Sequence, residues 1–233
     1  MRFALAILLL AALVGAPPAA GLATQRVTFR TDDGLTLAGS WYEPSVRPAP
    51  AVVLVHMFRR TRHDWEPLAS QLASEGIGVL TFDLRGHGES PGVVGQDLAP
   101  LVADVRAARR FVTTRPDVAG RVGFGGASLG ANLALLEAAD DPTVSAVALL
   151  SATLEYRGLR IDAAAKKYGN RPLLLVSSDD DGYAMRTARD LQKGAGPSRE
   201  SMLLTRAGHG TAMLVQAPDL MRSLVDWFRR RLL

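Results

Sequence analysis

The feature that most limits the fold of this chain is a regular alternation of short, valine-rich apolar runs with segments of helical period. Ala51 to Val55 has no polar residue, and Gly78 to Phe82, Val144 to Leu150 and Pro172 to Ser177 are almost as apolar. Runs this short and this apolar fit strands covered on both faces. Between them lie Trp65 to Ser74, Asp97 to Thr113, Leu129 to Ala139 and Tyr183 to Lys193, each spaced as a helix. Two further strands, Arg121 to Phe124 and Glu200 to Thr205, and a closing helix, Asp219 to Leu232, complete the order. Strands alternating with helices imply an α/β architecture: a mostly parallel central sheet with helices on both faces. Val27 to Phe29 and Leu35 to Tyr42 flank the turn Asp32-Asp33-Gly34 and read as an antiparallel N-terminal edge.

The first residues form a separate unit. Met1, Arg2 and Phe3 precede an apolar run from Ala4 to Val14, which Gly15 to Ala23 breaks with Pro17, Pro18 and small side chains. A positive start, a short apolar stretch and a small-residue finish define a secretory signal peptide. The run is shorter than the roughly 20 residues of a spanning helix, so cleavage is favoured over a retained membrane anchor. Gly21-Leu22-Ala23 is the preferred cut and Ala20 the alternative. The expected organisation is therefore a leader over 1–23, one domain over 24–233, and export to the periplasm or the exterior.

Composition removes several classes. Among 233 residues there is no cysteine, which excludes disulfides, zinc thiolates and a cysteine nucleophile. The net charge of +4 comes from scattered arginines, and the one dense cluster is Arg229-Arg230-Arg231 beside Trp227 and Phe228. That cluster reads as a solvated helix face or a weak contact with an acidic envelope or membrane surface. No basic stripe with interleaved aromatics suggests nucleic acid.

Chemistry enters at Gly126-Ala127-Ser128-Leu129-Gly130, a G-x-S-x-G pattern between the strand at Val122-Gly123-Phe124 and a helix. A strand that turns abruptly into a helix leaves the serine on a strained, exposed apex. There the helix N-terminus favours developing negative charge. A serine hydroxyl needs a base, most often histidine. Of the four histidines, His56 ends a strand, His63 lies in an arginine-rich loop and His87 sits in a tight glycine turn. Only His209, in Gly208-His209-Gly210, follows Ser128, as the order Ser, acid, His requires. The acid should follow the strand before that histidine, where Asp179-Asp180-Asp181 stand together. Asp181 is the first choice, Asp180 the second and Glu155 a distant third; the competing reading of the run is a polar turn or helix cap.

These residues resemble the α/β-hydrolase superfamily, and within it small lidless esterases grouped with dienelactone hydrolases. The resemblance rests on His56 at its strand end, on Asp83-Leu84-Arg85-Gly86-His87-Gly88-Glu89-Ser90, on the Ser128 elbow and on Gly208-His209-Gly210. It implies that His87 and His56 shape loops rather than move protons. It also implies that the backbone N–H groups of Phe58 and Leu129 form an oxyanion hole. Two departures stand out: Met57 replaces the usual glycine after His56, and Ser128 replaces the cysteine of dienelactone hydrolases. The implied activity is hydrolysis of small or soluble esters through an acyl-enzyme, with no metal or cofactor. Acyl transfer, peptidase activity and a non-catalytic binding role are the alternatives. The short connection between Leu150 and Pro172 leaves no room for a large lid, and Tyr156 and Tyr183 are candidates for the rim of an open site.

Overall fold

A computed structural model describes residues 23–193 and 196–233. The leader expected over residues 1–23 lies, except for Ala23, outside these. Eight strands form one sheet: β1 (Thr24–Arg30), β2 (Thr36–Tyr42), β3 (Ala49–Val55), β4 (Gly78–Phe82), β5 (Val118–Ala127), β6 (Val144–Leu150) and, after a two-stranded hairpin of β7 (Glu155–Tyr156) and β8 (Leu159–Arg160), β9 (Leu173–Ser178) and β10 (Arg199–Leu204). Their spatial order is β1-β2-β4-β3-β5-β6-β9-β10. β2 runs antiparallel to both β1 and β4, and every other neighbouring pair is parallel. This is the expected α/β-hydrolase arrangement with its antiparallel edge.

The apolar runs are explained by which face each side chain takes. In β3, Ala51, Val53 and Val55 enter one core while Val52 and Leu54 enter the other. β9 divides likewise, with Leu173 and Leu175 on one side and Leu174 and Val176 on the other. The first core packs under α2 (Pro100–Thr113), α3 (Leu129–Asp140), α4 (Asp162–Tyr168) and α5 (Gly182–Gln192). The second packs under α1 (Glu66–Ser74), the single turn α6 (Met213–Gln216) and α7 (Pro218–Leu232). A strand with helices over both faces has no solvated side, so period-2 alternation disappears from its sequence.

Two differences have local causes. The helix expected from Asp97 starts at Pro100, because Asp97 accepts the Ala99 N–H at 2.9 Å and Pro100 suits a first helical turn. The polar stretch from Glu155 to Asn170 contains the hairpin and α4, with Ile161, Ala165 and Tyr168 buried against the first core. No large lid is present there.

Candidate active site

The ends of β3, β5, β6 and β9, with the loop after β10, bring the site residues together at one edge of the sheet. Ser128 has φ +51° and ψ −118° between β5 and α3, a conformation costly for a side chain with a Cβ. Its N–H donates to the carbonyl of Leu150 at 2.8 Å, and its own carbonyl accepts from Ala131 at 2.9 Å. The flanking glycines are sterically required. A Cβ on Gly126 would lie 2.3 Å from the Gly130 carbonyl oxygen, and one on Gly130 would lie 2.3 Å from the Val55 oxygen and 2.5 Å from the His56 oxygen. The elbow is therefore wedged against the end of β3. Leu129 opens α3, where an N–H has no partner inside the helix.

His209 and Asp181 are joined directly: Nδ1 of His209 lies 2.6 Å from Oδ2 of Asp181. The other carboxylate oxygen, Oδ1, accepts the Ala184 N–H at 3.2 Å and caps α5. Three adjacent acids find three separate partners. Asp179 accepts the Arg206 N–H at 2.6 Å, while Asp180 accepts the Gly208 N–H at 3.1 Å and the Ser178 hydroxyl. These bonds lower the Asp180 pKa from its ordinary value, the Ser178 hydroxyl contributing most. The acid run thus fastens the 206–209 loop one residue at a time, and the imidazole falls to Asp181. Glu155 lies in the hairpin and accepts the Gly158 N–H at 2.6 Å.

Next to the histidine, Gly210 packs against Ala127, where a Cβ would lie 3.7 Å from that of Ala127. The chain neighbours of His209 and Ser128 are thus in contact, and Ser128 Oγ forms no hydrogen bond to His209 here. Such bonds often tighten only with substrate bound. The His209 side chain is 44% exposed, so the site is open to water.

The loop after β3 is fixed by two histidines. His56 is fully buried; Nδ1–H donates to the Met57 carbonyl at 2.8 Å and Nε2 accepts the Leu84 N–H at 3.0 Å. Burial pushes its pKa down to about 4. His87 packs edge-on against it at 5.0 Å and accepts the Arg59 N–H at 3.2 Å. The Met57 carbonyl also accepts the Arg60 N–H at 3.1 Å, closing a turn with Arg59 at φ +60°. Phe58 N–H has no hydrogen-bond partner among the described residues. The methionine in place of glycine has a steric counterpart: Met57 Sδ lies against Gly210, 2.5 Å from where a Cβ would stand. Asp64 ties the same loops together, accepting from Thr211 Oγ1 at 2.8 Å and pairing with Arg60.

One residue escaped the sequence reading. Ser151, fully buried at the end of β6 with φ +51°, accepts the Gly210 N–H on Oγ at 2.9 Å. A lone serine after an apolar strand carries no pattern, and only its backbone angle marks it. Of the two tyrosines, Tyr183 is 47% exposed at the start of α5, while Tyr156 packs against the first core.

This sheet, elbow and histidine loop define an α/β hydrolase. The sequence profile described as serine aminopeptidase, S33, matches residues 46–176, and the chain belongs to that family. Among curated proteins it is 36% identical over 124 residues to an uncharacterized protein of Mycobacterium tuberculosis, covering 52% of this chain and 43% of that one. It is 32% identical over 174 residues to a polyketide transferase of Stachybotrys chlorohalonatus, covering 67% of this chain and 57% of that one. The chain thus spans about half the length of these relatives. Among solved structures, an esterase of Pyrococcus furiosus superposes with a TM-score of 0.78 at 19% identity, over 90% of this chain and 91% of that one. A dienelactone hydrolase of Anabaena variabilis gives 0.76 at 21% identity, over 92% and 100%.

Proposed function

We propose that this hydrolase acts on carboxylic esters through an acyl-enzyme on Ser128. The observation that carries the reading is the Asp181–His209 hydrogen bond beside a serine held at φ +51° on its elbow. His209 takes the hydroxyl proton as Ser128 Oγ attacks the carbonyl carbon, then returns it to the departing alkoxide. Asp181 holds Nδ1 protonated, which leaves Nε2 as the base, and stabilises the imidazolium. The N–H groups of Phe58 and Leu129 receive the oxyanion, each contributing a few kcal/mol. Water, activated by the same histidine, releases the acid.

The test is hydrolysis of p-nitrophenyl acetate and butyrate by residues 24–233, beside Ser128→Ala. Loss of turnover and of fluorophosphonate labelling in the variant supports the nucleophile; equal slow rates in both proteins refute it. Acyl transfer is the second reading, supported by the likeness to a polyketide transferase. The half-exposed His209 favours water as acceptor, and product analysis with added alcohol or thiol separates the two. Export remains part of the proposal, with the cut near Ala23; N-terminal sequencing of the secreted chain checks it.

A further inference from the structure

Among the described residues, the loop that presents Phe58 carries one arginine, Arg59, without a salt bridge. Arg60 forms a two-toothed pair with Asp64, at 2.9 Å and 2.7 Å. Arg62 is buried between Asp83 and Glu89, and Glu89 also takes Arg26. Arg59, between Phe58 and Arg60, forms no salt bridge, and its guanidinium rests 5.5 Å over the Phe58 ring.

Its backbone is held in place as well. The N–H of Arg59 donates to His87 Nε2 at 3.2 Å, and φ is +60°, a left-handed conformation that disfavours ordinary side chains. The side chain faces a cavity of about 460 Å³ whose wall runs from Phe58 past His87 to Gly88 and the 82%-exposed Val93. Its lining thus combines apolar side chains, glycine backbone and the polar residues Arg59, Arg60 and Thr61. Phe58 lines this cavity and, by its backbone N–H, belongs to the proposed oxyanion hole, which is the link between the two.

We propose that Arg59 and this cavity form a subsite for a carboxylate carried by the ester substrate. The inference rests on the ester-hydrolase reading above and adds the substrate class to it. A guanidinium offers a planar fork that matches a carboxylate, and Arg59 is exposed and so accessible to one. With Arg60 already neutralised by Asp64, a single free cation suits one negative charge, and Phe58, Val93 and Val94 suit the hydrocarbon that carries it.

The experiment compares two matched pairs of esters. On the acyl side these are p-nitrophenyl hemiadipate and p-nitrophenyl methyl adipate; on the alcohol side, 4-carboxyphenyl butyrate and its methyl ester. The readout is the ratio of kcat/KM for the acid over its neutral partner, in wild type, Arg59→Asn and Arg59→Lys. Asparagine tolerates the left-handed backbone, so the substitution removes the charge without adding strain. The subsite predicts that the ratio in at least one pair falls about tenfold in Arg59→Asn, as for loss of a charge-assisted pair, and only partly in Arg59→Lys. Added salt should erode the wild-type ratio as well. The pair that responds identifies which side of the ester enters the cavity. An unchanged ratio in both pairs overturns the subsite while leaving Ser128-dependent hydrolysis intact. Wild-type protein inert toward all four esters, with no Ser128 labelling, overturns the hydrolase reading and this inference with it.

Discussion

Ser151 Oγ accepts the Gly210 N–H at 2.9 Å and so joins the end of β6 to the residue after His209. Its own N–H donates to the Val176 carbonyl at 2.9 Å, one strand nearer the acid run. A single buried residue therefore holds the histidine loop against the strand beside the Ser128 elbow. Ser151→Ala leaves the Gly210 N–H without its acceptor, at a cost of about 1–3 kcal/mol. The expected kinetic outcome is a fall in kcat of about tenfold or more with little change in KM, because the imidazole is misplaced while the binding surfaces remain. Steady-state esterase kinetics check it. Ser151→Gly, which relieves the positive φ but lacks Oγ, should lose kcat as Ser151→Ala does.

The two carboxylates that the sequence left in competition separate by partner. Asp181→Asn keeps a helix-capping oxygen but places an amide against His209 Nδ1, which disturbs the tautomer that leaves Nε2 basic. Its kcat should fall by about ten-thousandfold with the unfolding midpoint nearly unchanged. Asp180→Asn weakens the bonds to Gly208 and Ser178 instead and should lower the unfolding midpoint slightly, with a much smaller loss of kcat. Urea unfolding and kinetics on both variants check the pair; equal kinetic losses would contradict the assignment.

Burial of His56 makes stability depend on pH in a predictable window. Its pKa is near 4 in the folded protein and about 6.5 in an unfolded chain. Between these values the unfolded state binds more protons, so stability falls as pH drops from about 6.5 to 4 and this contribution levels off below. The full difference corresponds to about 3 kcal/mol. Urea midpoints measured at pH 7 and pH 4.5 should lie further apart in wild type than in His56→Gln, which has no ring to protonate. A wild-type slope no steeper than that of the variant would refute the account.

How much was legible depends on whether a residue's role leaves a pattern. The apolar runs of β3, β4, β6 and β9 place the sheet because both faces of each strand are covered, and Ser128 is visible because its elbow needs glycines on both sides. Asp179, Asp180 and Asp181 are indistinguishable as letters; their roles follow from successive backbone directions after β9, which set the partners Arg206, Gly208 and His209. Met57 reads as a departure from glycine until Gly210 is seen to make room for its sulfur. The hairpin and α4 were hidden because each is only one or two turns long, and their burial is visible only in three dimensions.

The elbow glycines give the sharpest steric prediction. At Gly130 the obstacles are backbone carbonyls of β3 and the following residue, 2.3 Å and 2.5 Å from an added Cβ, and neither can rotate away as a side chain would. Gly130→Ala must push α3 off the end of β3, which moves both the Leu129 N–H and the loop that presents Phe58. The expected loss is about 3 kcal/mol or more of stability, together with most of the esterase activity in whatever folds. Gly95→Ala serves as the control, since its added Cβ would meet nothing closer than 3.8 Å. That variant should stay within about 0.5 kcal/mol of wild type. Thermal and urea unfolding of both alanine variants decide the matter: a Gly130→Ala protein as stable and active as the Gly95→Ala control would mean that the elbow is not wedged against β3.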